Sequence, residues 1–319
     1  MSPPLVSVLM TAYNREAYIA SAIESVLGQT LDDFELLIVD DASTDRTVEV
    51  AERYAATDSR IRVSVNPRNL GDYPNRNHAA TLARGSLLKY HDSDDLMYPH
   101  CLETMVRPLL AEPRAGFALS ARGGWPGGPC PMLLTPQQCY EREFLGHGMF
   151  FGGPACALFR ADVFRDLGGF PEIGPHSDNV FWLNACAALS VVLVPGDLFW
   201  YRVHDEQHLQ RPDAAYDALP VLDIEWRALS APDCPLAAED REQARRNRTF
   251  DLARWIARQL RHGRFGVAWR AWRHSGRSIA DWVRYLRPPV RHRLAGTPLA
   301  SDGRYLIPGA NAWAERSQD

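Results

Sequence analysis

Short apolar runs alternate with segments of helical periodicity along the first 95 residues of the chain. The pattern predicts strands at 6–10, 35–39, 61–65 and 87–90, and the mainly apolar run at 6–10 is typical of a strand buried on both faces. Between these runs, apolar positions recur at helical spacing over 16–27, from Thr44 to Tyr54, and over about 75–84. Strands and helices that alternate with short connections predict an α/β fold, a mostly parallel sheet with flanking helices.

Past residue 115 the pattern loosens. The segment 122–131 contains four glycines and three prolines, which predicts a loop. Further on, the pattern predicts a strand and short helix over 152–170, a helix over 178–189, a strand over 191–194 and a segment over 199–204. From about residue 212 the chain is helical and rich in arginine, and beyond 296 it is too irregular to assign.

The composition is that of a globular protein. The 319 residues, 46% hydrophobic and 23% charged, suit one large α/β domain with an appendage. No apolar run approaches the ~20 residues that span a bilayer, and the first residues lack the pattern of a signal peptide. Six cysteines without a Cys-x-x-Cys pair are typical of free thiols in a reducing compartment. We therefore expect a cytoplasmic protein.

The net charge of −4 conceals a strongly basic segment. Residues 241–294 hold 15 arginines, three acidic residues and four tryptophans, so the rest of the chain is strongly acidic. This mixture suits either helices that lie on an anionic membrane surface or a helical subdomain whose aromatic residues pack on the body. We expect no nucleic-acid partner, because the acidic body would oppose it and no nucleic-acid motif occurs.

A cluster of carboxylates follows the fourth predicted strand, in the sequence His91-Asp92-Ser93-Asp94-Asp95. Neighbouring like charges raise one another's pKa, so they are costly to hold together. At the carboxyl end of a strand, the cluster could hold a cation for a bound ligand. The alternative is an acidic loop that caps the helix beginning near Pro99, since Asp is a favoured N-cap.

Six short motifs follow one another along the chain: 6–15, 38–45, Asn69-Leu70-Gly71 with Asn75-Arg76-Asn77, Asp92-Ser93-Asp94-Asp95, Leu167-Gly168-Gly169-Phe170-Pro171-Glu172, and Tyr201-Arg202-Val203-His204. On these motifs, about two thirds of the chain resembles a family 2 glycosyltransferase. The resemblance implies the Rossmann-like GT-A fold of nucleotide-diphospho-sugar transferases, and it does not reach the Arg-rich segment.

The resemblance also implies a domain organisation. We expect a GT-A catalytic domain over 1–210, with a nucleotide-binding half at about 1–115 and an acceptor half at about 116–210. An Arg/Trp-rich helical extension would follow over 211–295, and an irregular C-terminal tail over 296–319.

A transferase of this kind holds the diphosphate of its donor through a divalent cation, Mn²⁺ or Mg²⁺, which prefers carboxylate oxygen. By the resemblance, Asp94 of the Asp-x-Asp motif is the direct ligand, and Asp92 assists it or holds the ribose. His204 would be an additional metal or phosphate ligand, although a lone histidine after a strand is often structural. Asp95 is predicted to cap the following helix.

The nucleotide pocket is assigned in the same way. Asp41, at the end of the second strand, would accept the N3–H of uracil, which favours a UDP-sugar; its alternative is simple turn chemistry. Thr11 and Tyr13 would line the base, although a tyrosine at this position is often a core residue. Arg76 would contact the nucleotide or its phosphates, unless it is a solvated helix arginine.

An inverting transferase needs a carboxylate that takes the proton from the acceptor hydroxyl. In the family this is the Asp of a Glu-Asp pair about ten residues after Gly-Gly-Phe. Here the same slot holds Ser177-Asp178, so Asp178 matches the base. The alternative is that Asp178 is the N-cap of the 179–189 helix, and the two roles are compatible. The processive motif Gln-x-x-Arg-Trp has no match, so we expect transfer of a single sugar.

The sequence therefore predicts an inverting, metal-dependent glycosyltransferase that moves one sugar from a UDP-sugar to a saccharide or lipid-linked acceptor. The process would be cell-surface polysaccharide or lipid-linked glycan synthesis, with the protein peripheral on the inner face of the membrane. One alternative is a sugar-nucleotide pyrophosphorylase, which needs a Gly-rich basic loop that the first strand lacks. The other is a sugar-nucleotide-binding protein without transferase activity.

Overall fold

The computed structural model describes residues 2–120, 130–146, 148–150, 152–204 and 214–285. Within them, eight strands build one central sheet: β1 (Val6–Ala12), β2 (Phe34–Asp40), β3 (Ile61–Val65), β4 (Leu87–Asp92), β6 (Ala115–Ser120), β7 (Met132–Leu134), β8 (Ala157–Arg160) and β9 (Ser190–Val194). Two short strands, β5 (Leu96–Met97) and β10 (Phe199–Trp200), pair as a separate antiparallel ribbon.

The sheet runs in the order β3-β2-β1-β4-β8-β6-β9-β7. The first four strands are parallel to one another, as are β6 and β9, whereas β8 and β7 run antiparallel to their neighbours. The predicted mostly parallel α/β sheet is confirmed. The antiparallel direction of β7 and β8 was not recognised in the sequence, because strand direction leaves no mark in the hydrophobic pattern.

Seven helices flank the sheet on its two faces: α1 (Ile19–Leu27), α2 (Thr47–Ala55), α3 (Asp72–Leu82), α4 (Cys101–Ala111), α5 (Pro136–Phe144), α6 (Ala161–Asp166) and α7 (Ser177–Ala188). Four more follow in the described C-terminal part: α8 (Ala214–Ser230), α9 (Ala238–Arg261), α10 (Phe265–His274) and α11 (Ile279–Tyr285). None of the helices in the described ranges combines the length and apolarity needed to cross a bilayer.

The core consists of two clusters, one on each face of the sheet. In β1, Val8 and Met10 pack with Ile23 of α1, while Leu9 between them packs with Ala79 of α3. Alternate residues of a strand point to opposite faces, so a strand covered on both sides is apolar throughout. This explains why the first strands appear as continuous apolar runs. All six cysteines are free, as predicted, and five of them are buried.

The main differences from the predicted elements lie at their ends and in the second half. The helix predicted over 75–84 begins already at Asp72, and the fourth strand continues to Asp92. Strands β6 and β7 and helix α5 were missed. β6 has the sequence Ala-Gly-Phe-Ala-Leu-Ser, which contains no β-branched residue and so gives a weak strand signal.

Helices α8 and α9 pack on the body formed by the sheet and its flanking helices. Leu229 of α8 and Ala244 of α9 belong to the same buried cluster as Leu9 of the sheet. Arg248 of α9 pairs with Glu143 of α5 at 2.8 Å and with Glu225 of α8 at 3.3 Å. For this part of the extension, packing on the body with arginines paired to acids is the observed arrangement. The loop at 122–129, the boundary near 210 and the tail 296–319 lie outside the described residues.

Candidate active site

The carboxyl ends of three neighbouring strands bring predicted site residues to one edge of the sheet. β1 lies between β2 and β4, and Thr11 of β1 is in register with Asp92 of β4. Asp41 directly follows β2, whose last residue, Asp40, lies beside Ala12. Ligands of open α/β sheets bind beside such strand ends. The structure therefore brings Thr11, Asp41 and Asp92 together, as the sequence predicts.

The Asp41 carboxylate is buried and accepts three hydrogen bonds from the loop after β3. Asn66 Nδ2 and the N–H of Leu70 donate to Oδ1, each at 2.8 Å, and the N–H of Gly71 donates to Oδ2 at 2.9 Å. Asp41 thus organises the Asn-Leu-Gly motif, so the structural role is present. A carboxylate has about four acceptor positions, which leaves one to offer to a ligand.

The turns after β1 and β2 are joined to each other. Asp40 accepts hydrogen bonds from the N–H and Oγ of Ser43, at 2.8 and 2.5 Å. Asn14 donates its N–H to Ser43 Oγ at 2.8 Å and accepts the N–H of Thr44 at 2.9 Å. The neighbouring Tyr13 is 45% exposed, so the alternative that it is a core residue is wrong.

Arg76 of α3 is buried and pairs with two carboxylates. Its Nη2 donates to Asp92 Oδ1 at 2.7 Å, and its Nε donates to Asp72 Oδ1 at 2.7 Å. The alternative that Arg76 is a solvated helix arginine is therefore wrong. Burial by itself would raise the pKa of Asp92, but the Arg76 charge and hydrogen bond outweigh it and lower the pKa below its usual range.

Asp94 joins segments that are far apart in the sequence. Arg15 Nε donates to Asp94 Oδ2 at 3.0 Å, and His204 Nε2 lies 3.1 Å from the same oxygen. Arg202 Nε donates to the backbone oxygen of Asp94 at 2.8 Å. The predicted residues Asp94 and His204 are thus neighbours. Arg15 was missed, although it ends the first motif, because its partner lies 79 residues away.

Asp95 does not cap the following helix, so that prediction is wrong. α4 begins at Cys101, and its N-cap residue, His100, makes no side-chain capping hydrogen bond. Asp95 is fully buried, and its Oδ1 accepts the backbone N–H of Arg202 at 3.0 Å. Burial, followed by the charge of Asp92, raises the pKa of Asp95 to about 7. Asp95 fastens the Tyr-Arg-x-His segment to the Asp cluster.

Asp178 lies in the first turn of α7. The N-cap of α7 is His176, so the alternative that Asp178 is the N-cap is wrong. The Asp178 carboxylate accepts the N–H of Asn179 at 2.8 Å and a hydrogen bond from the Tyr73 hydroxyl. Burial nevertheless raises the pKa of Asp178. A carboxylate with a raised pKa is better suited to accept a proton near neutral pH.

One face of α3 connects Asp178 to the Asp cluster. Tyr73 and Arg76 are three residues apart on this helix and are therefore neighbours on its surface. Tyr73 hydrogen-bonds to Asp178, and Arg76 pairs with Asp92. Two neighbouring side chains of one helical turn therefore contact the predicted base and the Asp-x-Asp motif. Tyr73 itself was missed, since nothing in the sequence marks its partner.

The Gly-Gly-Phe motif fixes the chain that leads into α7. Asn77 Nδ2 donates to Phe170 O at 2.8 Å, and the N–H of Phe170 donates back to Asn77 Oδ1 at 2.9 Å. Gly169 has a φ of 71°, and a Cβ atom there would lie 2.7 Å from Asn77 Oδ1. Ser177, in the slot of the family's Glu, is fully buried and donates to Gly174 O at 2.7 Å.

The acidic residues suit a hard cation but do not form a preassembled cage. Across the described ranges, no group of three or more His, Cys, Asp or Glu side chains is arranged to hold a metal ion. The predicted set of Asp92, Asp94 and His204 is therefore not a three-ligand site in this structure. Mg²⁺ is commonly bound by one or two carboxylates together with substrate phosphates, and Asp92 and Asp94 offer such a pair.

Parts of the chain are similar in sequence to known proteins. A model described as Glycosyl transferase family 2 matches residues 7–168. The putative teichuronic acid biosynthesis glycosyltransferase TuaG of Bacillus subtilis (strain 168) is 36% identical over 191 residues, which cover 57% of this chain and 71% of that protein. The putative glycosyltransferase EpsH of the same organism is 40% identical over 107 residues, 34% of this chain and only 31% of that protein.

Solved structures share the fold. S. aureus TarS 1-349 in complex with UDP-GlcNAc has a TM-score of 0.59 at 23% identity and covers 79% of this chain and 73% of that chain. The mannosyltransferase PcManGT from Pyrobaculum calidifontis, in complex with GDP-Man and Mn²⁺, has a TM-score of 0.56 at 19% identity, with coverage of 86% and 88%.

The central sheet and its flanking helices have the GT-A fold. The family model covers half of the chain, including the first four motifs. The chain therefore belongs to glycosyl transferase family 2, which does not support the pyrophosphorylase alternative.

Proposed function

We propose that this enzyme transfers a single sugar from a UDP-sugar to an acceptor hydroxyl, with inversion and with the help of Mn²⁺ or Mg²⁺. The observation that carries the proposal is the connection through α3. Tyr73 hydrogen-bonds to Asp178, and one turn further along Arg76 pairs with Asp92. A proton acceptor placed next to a diphosphate site is what direct displacement by a hydroxyl requires.

The donor nucleotide would bind at the ends of β1 and β2. Uracil N3–H would donate to the remaining acceptor position of Asp41, and the exposed ring of Tyr13 would cover the base beside Thr11. TarS, which was solved with UDP and with UDP-GlcNAc, supports a uridine donor. PcManGT was solved with GDP-Man, so the experiment below compares GDP with UDP.

A cation would be held by Asp94, with Asp92 beside it and His204 facing the cation or the phosphates. When bound, it would neutralise charge on the diphosphate and so assist its departure. The residues of the chain prepare this site. Arg76 keeps Asp92 ionised, and Arg15 orients the Asp94 carboxylate through a hydrogen bond of 3.0 Å.

Asp178 would accept the proton of the acceptor hydroxyl as that oxygen forms its bond to the anomeric carbon. The bond between this carbon and the diphosphate oxygen breaks, and UDP leaves with the electron pair. Attack from the side opposite the diphosphate inverts the anomeric configuration. The name of TuaG, which refers to teichuronic acid biosynthesis, supports a saccharide acceptor in cell-surface polysaccharide synthesis.

Thermal unfolding with a panel of nucleotides tests the donor and the cation. We expect UDP with Mn²⁺ to raise the melting temperature, GDP to raise it less, and EDTA to cancel the effect. A stabilisation by UDP that is unchanged in EDTA would contradict the cation. The absence of a shift with any nucleotide would contradict the proposed site.

Transfer assays with Asp178→Asn test the base. We expect loss of transfer by at least ~100-fold, because general-base catalysis contributes on that order. Stabilisation by UDP with Mn²⁺ should persist in this variant. Loss of both transfer and nucleotide binding would show that Asp178 belongs to the binding site instead.

A further inference from the structure

Helix α10 exposes an aromatic ridge, formed by Phe265, Trp269 and Trp272. These side chains are 66%, 57% and 38% exposed, and the two indole rings stack with centroids 5.1 Å apart. Their spacing of four and three residues places them on one side of the helix. The other side is buried through small residues: Val267, Ala268 and Ala271. An exposed apolar patch of this kind marks an interaction surface.

Exposed arginines occur at the end of α9 and on α10, in the same stretch of the chain as the ridge: Arg258, Arg261, Arg264, Arg270 and Arg273. No acidic residue occurs between Asp251 and Asp281 in the sequence. The partner of the ridge must therefore offer negative charge next to an apolar phase. An anionic phospholipid bilayer combines both within its headgroup region.

Other arginines of the same basic segment have different surroundings. Arg248 is held between Glu143 and Glu225. Arg277 is buried, with its guanidinium 4.3 Å from the Trp226 ring centroid. The structure thus divides the basic segment into arginines that hold the extension to the body and arginines that face outward beside the ridge.

We propose that α10 docks the enzyme on an anionic phospholipid surface, with the aromatic ridge in the boundary between headgroups and acyl chains and the arginines on the headgroups. Tryptophan suits this position because its ring is apolar and its N–H is polar. Single-stranded nucleic acid would also satisfy the arginines and stack on the rings, so its binding is one outcome of the test below. The docking goes beyond the proposed transfer reaction, since it needs neither nucleotide nor base, and it would bring the enzyme to lipid-linked acceptors.

Flotation with vesicles tests the proposal on the full chain without nucleotide. We expect binding to vesicles of phosphatidylcholine mixed with phosphatidylglycerol, little binding to pure phosphatidylcholine, and weaker binding at high salt. Brominated lipids should quench tryptophan fluorescence. Replacing both ridge tryptophans (Trp269→Ser with Trp272→Ser) should abolish this quenching. Reversing two charges (Arg270→Glu with Arg273→Glu) should weaken binding at least ~30-fold, since each basic residue contributes about fivefold near an anionic surface.

Matched controls separate the ridge from general surface effects. Leu110→Ser removes a side chain of α4 that is 45% exposed, and Arg53→Glu with Arg165→Glu makes the same change of net charge elsewhere. Both should bind vesicles almost as the unchanged chain does. Binding that is indifferent to lipid charge or to the ridge variants would overturn the proposal. So would binding of single-stranded RNA without vesicle binding, or a dimer that the tryptophan variants dissociate.

Because vesicle binding is measured without donor or acceptor, its failure would leave the transfer proposal intact. Conversely, Asp178→Asn should bind vesicles normally even when transfer is lost.

Discussion

His204 Nε2 lies 3.1 Å from Asp94 Oδ2, although 110 residues separate the two side chains in the sequence. The His204 ring also packs on Tyr18, with ring centroids 4.5 Å apart. Two residues earlier, the N–H of Arg202 donates to Asp95 at 3.0 Å. The last motif of the catalytic domain is therefore docked on the Asp cluster, and it limits how the Asp94 carboxylate can turn.

His204→Ala should lower the affinity for Mn²⁺ in the presence of UDP by about 10–100-fold, which is the usual effect of removing a group at or beside a metal ligand. Calorimetric titration of Mn²⁺ at fixed UDP measures this affinity. The matched control is His262→Ala, because His262 is exposed at the end of α9. Equal Mn²⁺ affinity in both variants would contradict a role for His204 at the cation.

Tyr73→Phe should shift the acid limb of the pH profile of kcat/KM to higher pH. The Tyr73 hydroxyl stabilises the ionised form of Asp178, so its loss raises the pKa of Asp178 further. The base is then protonated over a wider pH range, and activity falls first on the acid side. The control is Tyr54→Phe on α2, which removes a hydroxyl that donates to Glu24 of α1 at 2.5 Å. A uniform loss of activity at every pH would instead indicate a structural role for Tyr73.

Gly169→Ala should destabilise the fold more than Gly168→Ala does. Both glycines have positive φ, 71° and 80°, which costs an alanine about 1–2 kcal/mol. Only at Gly169 would the added Cβ also approach Asn77 Oδ1, at 2.7 Å. Urea denaturation of both variants measures the difference. When Asn77→Ala is also present, the loss of unfolding free energy caused by Gly169→Ala should fall towards that caused by Gly168→Ala. An unchanged difference between the two glycine variants would contradict the clash.

Glu225→Gln should flatten the dependence of stability on pH between about 4.5 and 7. Burial raises the pKa of Glu225 from 4.5 to about 7, while Arg248 opposes this shift only in part. Between these values the folded chain binds more protons than the unfolded chain, so stability falls as the pH rises through this window. The loss amounts to at most about 3.5 kcal/mol, taking about 1.4 kcal/mol for each pKa unit.

Thermal unfolding at pH 5 and pH 8 measures this effect. Glu239→Gln, at an exposed position of the first turn of α9, should keep the pH dependence of the unchanged chain. Because Asp95 also has a pKa raised to about 7, part of the slope should remain in Glu225→Gln. A slope that is unchanged in this variant would assign the whole titration to other groups.

The sequence was most informative where local signals and strand ends coincide. The position of Asp92 after an apolar run placed it at the edge of the sheet, and β4 ends at that residue. By contrast, the sequence pattern suggested that Asp95 caps a helix, whereas it accepts the backbone N–H of Arg202 from a distant segment. Capping is a local property that a sequence shows, but the partner of a buried carboxylate is set by packing.

By itself, the sequence determined the alternation of strands and helices, the acidic ends of those strands and the membership of a family, because hydrophobic periodicity and short motifs are local properties of the chain. Only the tertiary structure decided that Arg76 is buried against Asp92 and that Tyr73 hydrogen-bonds to Asp178. It also decided which arginines of the basic segment pair with acids of the body and that α10 exposes an aromatic ridge. These relationships depend on which surfaces meet when distant segments pack, and no local pattern records that.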